Sequence, residues 1–215
     1  MQDLLTSGIN FFAIHHALQP ADKQHRFGHG KAQAIGAMAQ GFVIALSCLF
    51  LLKQAWERLL NTQDVAHLDY GMLGLVIIIA LTGGLIAFQG YVVRRTNSLS
   101  IKADKAHYDG DILMNVGVLI SMAITHYFKM YWVDAVFGIG VSAYLAWSVY
   151  GILKEAIAML MDTEMPPNFR KKLEHLVLSH PDIKAIYALK TRTSGEKVFV
   201  QFTVAMDGQL TLKQA

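Results

Sequence analysis

A single cysteine, Cys48, stands in the middle of an apolar run. With no second thiol there can be no internal disulfide and no thiolate cluster, so a bound metal must use His, Asp or Glu. Charge is also scarce: 16% of the 215 residues carry one, against about 25% in soluble domains. With 53% hydrophobic residues and a mean hydropathy of +0.35, this is a membrane composition. A formal net charge of +3 gives no reason to expect a nucleic-acid partner, because the basic residues read as loop charges flanking helices.

What the chain does have is long uncharged runs, at 32–52, 71–93, 112–128 and 135–153. A helix needs about 20 such residues to span a bilayer. The third run is short, but it lengthens backwards if its helix starts at Asn97 or Ser98, both good N-caps. Ahead of all four, residues 4–18 read as the second half of a spanning helix. A signal peptide is the weaker explanation, since Asp3 stands where a basic start is expected. Helices are therefore predicted at about 1–17, 31–54, 70–93, 98–127 and 133–156, in an all-α membrane domain over 1–162.

Basic residues orient these helices. Lys23, Arg26 and Lys31 lie in one connection and Arg94, Arg95, Lys102 and Lys105 in another, whereas the alternate connections hold Lys53 with Arg58, and Lys129. The richer pair belongs in the cytoplasm, with the tail after Lys154.

Within the helix from Ser98, His107 and Asp111 are four residues apart and share a face. Ionisable groups at such a depth mark a site or a transport path more often than not. The blander alternative is a solvated His and Asp at a helix end. Depth argues against it. Asp3 precedes Leu18 by 15 residues, or about 22 Å along a helix, and Asp111 follows Ser98 by 13, or about 20 Å. On antiparallel helices the two carboxylates fall at one level, where they can share a cation.

The first cytoplasmic loop, 19–31, holds a second set: Asp22, His25 and His29, with Gly28 and Gly30 allowing the backbone to fold around an ion. Three N and O ligands with water or a fourth group suit tetrahedral zinc; a solvated polar loop is the common alternative. His67, His126, His175 and His180 stand alone, and His15 with His16 reads as a helix exit near the headgroups.

Taken together, Leu-Gln-Pro-Ala-Asp-x-x-His-x-Phe-Gly-His-Gly-Lys-Ala, then Val-Val-Arg-Arg-Thr-x-Ser, then Ala-Asp-x-x-His-Tyr-x-x-Asp, closely resemble the cation diffusion facilitator family. They are most similar to its bacterial ferrous iron and zinc efflux type. The resemblance implies a proton-coupled antiporter, not an enzyme: a homodimer in the bacterial inner membrane that exports Zn2+, with Fe2+ or Cd2+ as alternatives. It implies a six-helix membrane domain followed by a small α+β ferredoxin-like cytoplasmic domain over 163–215. By the same resemblance, the first helix and the start of the second, with a further ligand aspartate, are expected to lie before Met1, and the last elements of the terminal domain beyond Ala215.

Carried over by position, the resemblance implies a transport site of Asp3, His107 and Asp111, with protons competing at His107 and Asp111. It also implies a zinc-binding loop site of Asp22, His25 and His29, and no organic cofactor. Lys31 and Asp162 are expected as an inter-subunit charge pair at the membrane surface. In the tail, Pro166 and Pro167 open an amphipathic helix, and strand formers on either side of Ser194-Gly195 predict a hairpin. Tyr187 and Thr203 take positions where the family carries metal-binding histidines, and neither is a good zinc ligand. Two other classes remain open: a membrane metal sensor or inactive fragment that binds zinc without moving it, and an intramembrane hydrolase. The latter lacks a His-Glu-x-x-His motif.

Overall fold

The computed structural model describes residues 2–60, 71–130, 132–209 and 211, the side chains of 2–5, 71–73 and 126 excepted. Five long helices come first: α1 (Gln2–Ala17), α2 (Ala32–Leu60), α3 (Gly71–Thr96), α4 (Leu99–Phe128) and α5 (Val133–Leu160). The tail is α6 (Pro167–Leu178) with strands β1 (Ile183–Ser194) and β2 (Lys197–Met206).

Three helical stretches, Ala32–Leu60, Gly74–Thr96 and Val133–Leu160, are long and apolar enough to cross a membrane. Their apolar side chains point outward: Phe42, Leu46, Leu49, Ile77, Leu81 and Trp147 are all exposed, as a helix surface bathed in lipid requires. Where hydropathy ends, the helices do not. α2 continues past residue 54 through Glu57 and Arg58 to Leu60. Lys53 and Glu57 pair at 3.7 Å, four residues apart, and Arg58 binds Asp134 at the start of α5. An apolar run measures the bilayer, whereas the helix goes on as long as its exposed turns find such partners.

α4 is the centre of the bundle. It touches α1, α2, α3 and α5, and among the described residues α3 meets α4 alone. Its 30 residues extend about 45 Å and carry Lys102, Asp104, Lys105, His107, Asp109 and Asp111. Placing that helix inside the bundle keeps its polar face off the lipid.

Close packing around it depends on small residues. A Cβ added to Gly36 on α2 would lie 2.3 Å from that of Ala13 on α1, and one on Gly110 of α4 would lie 2.7 Å from a Leu145 methyl on α5. Ala34, Ala37, Leu99, Ala103, Ala106, Ile152 and Ala156 form a buried core at one end. Ile44, Cys48, Val141, Leu145 and Val149 form a second.

In the tail, Pro167 supplies the first turn of α6, which has no buried residue of its own. β1 and β2 pair antiparallel from Ser194↔Lys197 to Ile183↔Met206, with an irregularity between Tyr187 and Lys190. Ala188 takes a positive φ there, a bulge that lets the strand bend. Tyr187 and Thr203 are direct partners across this ladder.

Candidate metal sites

His107 and Asp111 lie one turn apart on α4, with Nε2 and Oδ2 separated by 3.6 Å. The imidazole is buried, 9% exposed, while the carboxylate is half open, 46%. Both line an open cavity of about 620 Å³, together with Phe50 and Leu51 of α2 and Gly110 and Met114 of α4. A carboxylate and an imidazole aimed into one recess are two ready N and O donors for a divalent ion. Asp3 lies in α1, a helix that touches α4; its side chain falls outside the described residues.

The loop from α1 to α2 gathers the second set. Asp22, His25 and His29 place one donor atom each within 4.8 Å of one another. The Asp22 carboxylate accepts the backbone N–H of His25 at 2.5 Å and of Gln24 at 2.8 Å. These bonds, His25's above all, hold its carboxyl below the usual carboxylate range, so it is ionised and fit for a cation. Gly28, at φ +81°, turns the chain between the two histidines and donates to the His25 carbonyl at 2.9 Å. The His25 and His29 rings are 4.5 Å apart. His29 is buried, its Nδ1 has no hydrogen-bond partner and its Nε2 comes only within 3.5 Å of Asp22 Oδ2. Buried nitrogens are seldom left so poorly served, and a bound cation is a partner that would serve this ring.

The same loop docks on the hairpin of the tail. Arg192 lies 4.2 Å over the Phe27 ring, and Phe27 packs edge-on against Phe199. Lys31 Nζ sits 2.9 Å from Asp162 Oδ1, and Arg192 sits 3.3 Å from the other oxygen. The turn after α5 brings Asp162 to the start of α2, so the two side chains meet within this chain.

Two sequence profiles divide the chain at this junction. The cation efflux transmembrane domain matches residues 1–161, and the cytoplasmic domain of cation efflux proteins matches residues 165–215. The chain belongs to the cation efflux family. Residues 165–215 are accordingly its cytoplasmic domain, so the loop site and the ends of α1, α3 and α5 face the cytoplasm.

Similar relatives include the cation-efflux pump FieF of Shewanella oneidensis, 35% identical over 213 residues, which make up 99% of this chain and 72% of the relative. The FieF pump of Yersinia enterocolitica is 36% identical over 99% of this chain and 71% of its own length, and that of Yersinia pestis is 35% identical over the same shares.

Two site residues escape the sequence reading of this family member. Asp104, one turn before His107, is buried and accepts from Gln89 Nε2 of α3 at 2.7 Å and from Gln40 Nε2 of α2 at 3.3 Å. Gln40 reaches the Thr6 carbonyl of α1 as well, at 3.3 Å, so one carboxylate ties four helices together. The signal was there: Gln40 and Gln89 are polar residues inside apolar runs, which rarely go unpaired. The second is His16, in the last turn of α1, whose ring stands edge-on to His29 with centroids 4.7 Å apart.

Proposed function

We propose that this chain is a proton-coupled divalent-cation antiporter that exports Zn2+ from the cytoplasm, acting as a homodimer in a bacterial inner membrane. The observation that carries the reading is the buried His107 beside Asp111, opening on a cavity in the helix that every other long helix touches. Membership in the family, and bacterial relatives named as cation-efflux pumps, supply the direction of transport. The family's dimerising cytoplasmic domain supports the homodimer.

Asp3, His107 and Asp111 are the proposed ligands of the transported ion. All three must be deprotonated to bind it, and imidazole titrates near neutral pH. A site open to the cytoplasm therefore loads zinc, and protons arriving from outside displace it. Protons and metal compete for the same lone pairs on His107 and Asp111, so proton binding at either ligand favours release. N and O donors discriminate weakly among Zn2+, Fe2+ and Cd2+, so geometry and supply set the cargo.

At the loop site one carboxylate and two imidazoles, with the poorly served His29, fit a resident zinc ion. Asp22, His25 and His29 would hold it, and its charge would draw α1, the loop and the start of α2 together. No organic cofactor is needed for this chemistry.

Zinc uptake into proteoliposomes under an imposed pH gradient tests the reading. Uptake that follows the gradient and vanishes in Asp111→Ala supports it. A wild-type chain that binds zinc yet moves none, with or without the gradient, overturns it in favour of a non-transporting binder.

A further inference from the structure

We infer that His16 is the fourth protein ligand of the loop metal, so that the ion joins α1 to the loop. The inference rests on the loop-site reading above. Two imidazoles on one tetrahedral zinc, with Zn–N near 2.0–2.1 Å, hold their ring centroids about 5 Å apart. His25 and His29 are 4.5 Å apart by that measure, and His16 and His29 are 4.7 Å apart. Both rings therefore stand from His29 at about the spacing a shared ion imposes; the donor atoms already within 4.8 Å of one another are those of Asp22, His25 and His29, and His16 joins them by turning its ring.

The surroundings agree. His16, His25 and His29 line one cavity of about 410 Å³, and His16 is exposed at the end of its helix, free to turn about its side-chain bonds. Its neighbour is not available, since the His15 ring stacks on Phe11. Three cations line the cavity, Arg26, Lys31 and Arg192, and the last two are engaged by Asp162. Asp22, His25 and His29 alone give three ligands, one short of a closed structural site. Because His16 belongs to α1, the helix that carries Asp3, a metal held here fastens the cytoplasmic end of that helix to the start of α2.

Cobalt(II) reports the geometry directly, because four-coordinate Co2+ absorbs visible light far more strongly than five- or six-coordinate Co2+. The full chain in detergent, carrying Asp111→Ala to remove the transport site, is titrated with Co2+ and then with competing Zn2+. The expected result is an intense visible band that His29→Ala abolishes and that His16→Ala weakens. Loop affinity should fall in His16→Ala by at least about tenfold, the scale seen even for groups that only support a metal ligand. A band and affinity unchanged in His16→Ala would overturn the inference and leave the loop site standing with a water in fourth place. No band in the parent chain, or one indifferent to His29→Ala, would overturn the loop site and the inference together. His16 is exposed, so its replacement leaves the fold intact.

Discussion

Lys31 and Asp162 meet at 2.9 Å, joining the first turn of α2 to the segment that leaves α5 for the cytoplasmic domain. Arg192 approaches the other carboxylate oxygen, and the pair of cations, Lys31 foremost, holds the Asp162 carboxyl below its usual range. A depressed carboxyl stabilises the folded form above its unfolded pKa, about 3.9, and loses that contribution as pH falls through the lower folded value. Asp162→Asn should therefore weaken docking at neutral pH, by about 0.5–1 kcal/mol given its exposure. Hydrogen exchange at 192–194 is expected to show wild type and variant converging well below pH 4.

Gly30 is the tightest point of that docking. A Cβ there would lie 2.3 Å from the Ser194 carbonyl oxygen and 2.6 Å from its carbon, and backbone cannot swing aside as a side chain can. Gly30→Ala is expected to separate loop from hairpin at a cost of about 1–3 kcal/mol. Limited proteolysis at the 194–197 turn should then accelerate, while helix content stays constant.

Asp104 makes a different demand. Replacing it with Ala takes the carboxylate from the buried Gln89 amide, a loss of about 1–3 kcal/mol for an unpaired group, and leaves Gln40 with its Thr6 bond alone. Asp104→Asn should be far milder, because either glutamine can turn its carbonyl toward the new amide. Thermal unfolding in detergent is expected to rank wild type first, Asn close behind and Ala last.

Transport should separate the two partners on α4. Asp111→Ala is expected to abolish zinc movement, whereas His107→Ala should keep measurable flux and lose much of its pH dependence. Flux measured from pH 6 to 8 in proteoliposomes checks this. An equal pH profile in wild type and His107→Ala would exclude His107 as the proton-responsive ligand.

The sequence alone determined what is local. Uncharged runs mark where helices meet lipid, because a bilayer rejects charge over a fixed thickness. Four-residue spacing puts His107 over Asp111, because a helix repeats every 3.6 residues. Short loop spacing keeps Asp22, His25 and His29 within reach of one ion. Tertiary structure decided what depends on how helices rotate and cross: that Gln40 and Gln89, far from Asp104 in the chain, converge on its carboxylate. It decided that Lys31 finds Asp162 in its own chain and that His16 faces His29 while His15 turns away to Phe11. Periodicity records which face of a helix is polar. Only packing, through close approaches such as Gly36 on Ala13 and Gly110 on Leu145, selects the partner which that face meets.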